Sequence, residues 1–75
     1  MPRVPTLSAK KLIKVLKKKG FVHIRTTGSH QIFVRKKDRL RITIPVHQGR
    51  DLGRGLTLSI LKDADITIDE LLKLL

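Results

Sequence analysis

The chain has 75 residues and no cysteine. That leaves room for one small domain burying about 60% of its unfolded surface, and it excludes disulfides, thiolate catalysis and cysteine-based zinc sites. The charge of +11 is uneven, because residues 1–54 carry fifteen Lys/Arg against Asp38 and Asp51 while the remainder carries Lys62 and Lys73 against four carboxylates, a field that attracts nucleic acid or an acidic protein.

The plainer reading of that charge is a solvated surface, or the lysine enrichment of heat-adapted proteins. Phe21 and Phe33 are the only aromatics, too few for a sheet that stacks several bases on its rings. No apolar run reaches the roughly 20 residues needed to span a bilayer, and no signal-peptide core opens the chain. A soluble, cytoplasmic protein without a membrane partner is the expectation, with residues 1–75 forming a single domain.

In chain order, Pro2 and Pro5 make residues 1–5 an extended arm. From Ser8, the apolar residues Ala9, Leu12, Ile13 and Leu16 recur at helical spacing, with Lys10, Lys11, Lys14, Lys17 and Lys18 largely on the other side. Thr6 or Ser8 is the candidate N-cap, and Gly20 supplies a left-handed stop. Three strands are expected next, over Phe21–Thr26, His30–Arg35 and Leu40–Val46, joined by the hairpin-length connections Thr27-Gly28-Ser29 and Lys36-Lys37-Asp38-Arg39.

A glycine-punctuated loop over Gln48–Gly53 precedes a second helix. In it Leu58 and Leu61, with Leu56 and Ile60 as further candidates, are expected to face inward, and it ends near Asp63-Ala64-Asp65. Thr67-Ile68-Asp69-Glu70 matches a capping box opening a short last helix through Leu75. Its leucines and isoleucines pack on the core or form an exposed patch. The expected fold class is α+β, in the order α-β-β-β-α, with a three-stranded antiparallel sheet, helices on one face and a short extra C-terminal helix.

His23, His30 and His47 are not paired at helical metal-site spacing, carboxylates are sparse, and no glycine-rich phosphate loop follows a strand. No metal and no cofactor are expected. The chemistry left open is metal-free acid/base work on RNA, where the ribose 2′-OH is a built-in nucleophile and a histidine moves protons beside cationic side chains. By position alone, His30 is more often a surface or partner-contacting residue. Gly28 reads as a turn residue needing positive φ, and Ser29 as a turn-bonding one.

Taken together, Leu7-Ser8, the lysine-rich helix to Gly20-Phe21, Gly28-Ser29-His30, Phe33, Pro45-Val46-His47, Gly55-Leu56, Leu58, Ile60-Leu61-Lys62, Ala64 and Glu70-Leu71 resemble the HicA family of toxins. The resemblance implies a double-stranded-RNA-binding-domain-like fold and a ribosome-independent mRNA interferase. It also implies a HicB-like antitoxin, expected to mask His30. His30 takes the place of the family's catalytic histidine, Gly28 and Ser29 form the turn presenting it, and His47 is a candidate for a secondary role.

Arg25, Lys36, Lys37 and Arg41 are the candidate RNA-binding residues, and a homo-oligomer is compatible with the sequence. The competing reading is a non-catalytic double-stranded RNA-binding module. Strand phase leaves one alternative open. Ile32 and Val34 share a face with His30, while Gln31 and Arg35 share one with Phe33, so either the open face of the sheet is partly apolar or a bulge changes the phase.

Overall fold

The computed structural model describes residues 4–47 and 49–75. Its elements are β1 (Leu7–Ser8), α1 (Ala9–Lys18), β2 (Val22–Thr27), β3 (His30–Arg35), β4 (Leu40–Pro45), β5 (Asp51–Leu52), α2 (Arg54–Asp63) and α3 (Ile68–Leu74). The α-β-β-β-α order and the short closing helix are those expected, and β2-β3-β4 form an antiparallel sheet in sequence order. Met1, Pro2 and Arg3 of the expected arm, and Gln48 of the expected loop, lie outside the described residues.

Ser8 caps α1, its Oγ accepting from the Lys11 N–H at 3.2 Å. Ala9, Leu12, Val15 and Leu16 face the core. Both long helices end in Schellman motifs. At α1, Phe21 N–H donates to the Leu16 carbonyl and Gly20 N–H to that of Lys17, with Gly20 at φ +91°. At α2, Ile66 donates to Leu61 and Asp65 to Lys62, with Asp65 itself left-handed at φ 57°. Each motif places the apolar residue after the turn, Phe21 or Ile66, in the core.

The sheet buries Phe33, Ile42 and Ile44 against residues from all three helices. Arg35 shares that inner face and is 8% exposed. Its guanidinium makes two bonds to the Asp38 carboxylate, at 3.0 and 2.8 Å. It also donates to the carbonyls of Lys19 and Ala64, each at 3.2 Å, and lies 4.7 Å from the centroid of the Phe21 ring. Lys19 and Ala64 are the C-cap residues of α1 and α2, so one side chain satisfies the negative ends of both helices. The Asp38 hydrogen bond, opposed in part by burial, holds the Arg35 pKa above its ordinary value.

Two features differ from the sequence expectation. Leu7–Ser8 and Asp51–Leu52, read as helix start and loop, pair antiparallel as a separate ribbon with Leu7 and Leu52 buried. In α2, Leu61 and Ile60 face inward as expected, but Leu56 and Leu58 are 39% and 45% exposed, and Thr57 and Ala64 complete the inward stripe. The helix starts at Arg54, and a stripe at i, i+3, i+4, i+7 from Thr57 leaves both leucines outside. Thr57 sits in an aliphatic position with its Oγ1 buried and unpartnered.

The capping box forms as expected: Thr67 Oγ1 accepts from Glu70 N–H, and Glu70 accepts from Thr67 N–H. Ile66 and Leu71 are buried, and Ile68 and Leu74 pack against the core. Leu72 and Leu75 remain exposed. Most of the apolar tail therefore serves packing.

Candidate functional site

Thr27 and His30 pair across a two-residue loop, and His30 also pairs with Pro45 on β4. Gly28 has φ +58°, and Ser29 has no positive φ, the pattern of a turn with its left-handed residue first. A Cβ at Gly28 would meet nothing within 4 Å, so the glycine serves backbone geometry, not close packing. Val46 N–H donates to the Ser29 carbonyl at 2.6 Å. His30 thus heads the central strand, tied to a neighbour on each side, with its side chain exposed.

Of the two alternatives, the partly apolar open face holds, because β3 keeps His30, Ile32 and Val34 on one side and the bulge lies on β2 instead. A bulge falls between His23 and Arg25, so that His23 pairs with Phe33 and Arg25 with Ile32. Three cross-strand rows share the open face: Thr27–His30–Pro45, Arg25–Ile32–Thr43 and Val22–Val34–Arg41. The bulge brings Arg25 to the side of His30. That face is also partly apolar, with Val22 and Ile24 at 48% and 49% exposure and Ile32 covered.

Along a strand, alternate residues are about 7 Å apart. Arg25 is one row from His30 on one edge strand, and Arg41 is two rows away, about 13 Å, on the other. Lys36 and Lys37 lie beyond the far end of β3, roughly 20 Å from His30. They line a shallow groove of about 320 Å³ with Lys19, Gly20 and Val22. The site residues read from the sequence therefore form two groups: the turn, His30 and Arg25 at one end of the sheet, and Arg41 with the lysine pair toward the other.

His47 follows the segment tied to Ser29 and is exposed, and its backbone carbonyl accepts from the Arg50 N–H at 3.1 Å. It stands at the His30 end of the sheet. His23 does not join the site. Its Nε2 lies 2.8 Å from Thr26 Oγ1, and its ring meets Phe33 edge-on at 5.4 Å between centroids, on the helix-facing side. Among the described residues no group of three or more His, Asp or Glu is arranged to hold a metal ion.

Sequence reasoning missed the tie between Val46 and Ser29 and the bulge at Ile24. Backbone bonds and the pairing register leave no residue-type signature.

The protein is thus a small, strongly basic α+β domain that presents an exposed histidine at a hairpin mouth, with Arg25 one row away on the open face of the sheet. A search of curated proteins returns no match. The family model described as HicA toxin of bacterial toxin-antitoxin matches residues 9–66, a span holding every site residue named above. The chain belongs to the HicA toxin family, and its biological role is that of the toxin in a toxin-antitoxin system with a cognate antitoxin. No helix among the described residues is long and apolar enough to cross a membrane.

Proposed function

We propose that this toxin is a metal-independent, ribosome-independent mRNA endoribonuclease in which His30 is a general acid/base. The observation that carries the reading is the placement of exposed His30 on the same open face as Arg25 and Arg41. In the reaction a base removes the 2′-OH proton, the 2′-oxygen bonds to phosphorus, and the bond from phosphorus to the 5′-oxygen breaks as that oxygen takes a proton. The products are a 2′,3′-cyclic phosphate and a 5′-hydroxyl. His30 supplies one of the two proton transfers, Arg25 neutralises the phosphate one row away, and Arg41 and the Lys36–Lys37 turn hold the chain farther along.

The antitoxin, a HicB-like protein, masks His30 by covering this face, whose apolar Val22 and Ile24 suit a protein better than an RNA backbone. Its contact surface there is acidic and aliphatic. The non-catalytic double-stranded RNA reader is disfavoured by the opening of α2, where Arg54 is followed by Gly55 and exposed Leu56 instead of a lysine cluster for phosphates. The test is cleavage of a defined mRNA by wild type and His30→Ala, with the product ends determined.

A further inference from the structure

The helical layer carries a second surface that the RNA reading does not use. A groove of about 490 Å³ runs between the arm at Pro5–Leu7, the outer side of α1 and the last turn of α3. Leu7, Val15, Leu74 and Leu75 give it an apolar lining, and none of its lining residues comes from β2, β3 or β4. Lys11, Lys14 and Lys18 rim it from one stripe of α1. Lys18 Nζ donates to the Leu74 carbonyl at 2.9 Å, closing one end. Lys11 and Lys14 are exposed and enter no ion pair among the described residues.

We propose that this groove is a docking site for an acidic, leucine-bearing segment of the cognate antitoxin, a second foothold remote from His30. Charge complementarity selects the occupant. An aliphatic lining under a lysine rim fits carboxylates flanking an aliphatic anchor. A second copy of this chain, at +11, would bring lysine against lysine across a self-complementary interface. Nucleic acid would match the lysines but gain nothing from four aliphatic side chains and no aromatic ring. The arm and the last turn of α3 also lie outside the segment matching the family, residues 9–66, whereas His30 and the arginines lie within it. The proposal rests on family membership and is independent of whether His30 cleaves RNA.

The test is the affinity of full-length toxin for its purified cognate antitoxin at about 0.15 M salt, compared across three variants. Lys11→Glu/Lys14→Glu is expected to weaken binding about tenfold, and Lys10→Glu/Lys17→Glu, the same charge change on the same helix away from the groove, by less than about twofold. Leu75→Ser is expected to weaken binding with no change of charge. RNA binding by the free toxin should stay the same in Lys11→Glu/Lys14→Glu as in Lys10→Glu/Lys17→Glu. Equal losses of antitoxin affinity from both double variants, no loss from either, or unchanged binding by Leu75→Ser overturns the proposal. A loss of RNA binding or of self-association confined to Lys11→Glu/Lys14→Glu assigns the groove to nucleic acid or to a second copy, and overturns it equally.

Discussion

The Val46 N–H donates to the Ser29 carbonyl at 2.6 Å, locking the turn that presents His30 to the strand leading to His47. The loop's one left-handed residue is Gly28, so the direction of the imidazole depends on a backbone angle that only glycine adopts without strain.

Gly28→Ala is therefore expected to destabilise the fold by about 1 kcal/mol from backbone strain alone, since the new methyl would touch nothing. RNA cleavage should fall further than that loss explains, because the turn relaxes by moving His30. Thermal melts and cleavage rates on one preparation check this. Unchanged cleavage would show that the turn does not set the histidine.

Arg35 is the structural counterpart of His30 on the same strand. Replacing it with Met removes the bonds to both helix C-caps and leaves one buried and one part-buried carbonyl unpaired, a loss of about 3 kcal/mol, or roughly 12–24 °C in Tm for a domain this small. RNA binding by the fraction that remains folded should persist. A shift of only a few degrees would mean that water replaces the guanidinium without penalty.

Acid should loosen the last helix in a defined window. The Lys19 ammonium, followed by the Thr67 N–H, holds the Glu70 carboxyl at about 2, below its usual 4.5. A depressed folded pKa contributes stability that is fully present above the usual value and lost as pH falls through the folded one. The Tm difference between wild type and Glu70→Gln should be constant from neutral pH to about 5 and close by about pH 2. A difference that persists at the acid end would assign Glu70's contribution to packing.

Gly28, Arg35 and Glu70 differ in how legible they were in the sequence. The α1 stripe, the three strands and the Thr67–Glu70 box were legible because each repeats a period or a fixed spacing. Arg35 was legible only as sharing a face with Phe33; its burial was not, because its partners, from Lys19 to Ala64, come together only across the fold. The two-residue strands β1 and β5 are too short to show a period. The α2 register was misread because Thr57 occupies a core position while Leu56 and Leu58 do not. The Gly28-Ser29-His30 turn was readable from residue types. Placing Arg25 beside His30 needed the bulge at Ile24, which tertiary pairing alone reveals.

The separation of the two cationic groups makes RNA length a variable. Arg25→Ala is expected to weaken binding of any substrate and to lower the salt slope of log K by about one. Lys36→Ala/Lys37→Ala should do so only for oligonucleotides long enough to span roughly 20 Å from His30. Salt titrations with a short and a long RNA check both. Equal sensitivity of the short RNA to the lysine pair would place its phosphates away from His30.

The central claim is tested most directly by incubating a defined mRNA with wild type and His30→Ala, each confirmed folded by thermal melt. The expected result is that wild type without added metal yields 2′,3′-cyclic phosphate and 5′-hydroxyl ends, while His30→Ala binds RNA within about twofold and cleaves at least about 100-fold more slowly. Cleavage by His30→Ala at the wild-type rate, or products carrying 5′-phosphates, would contradict it.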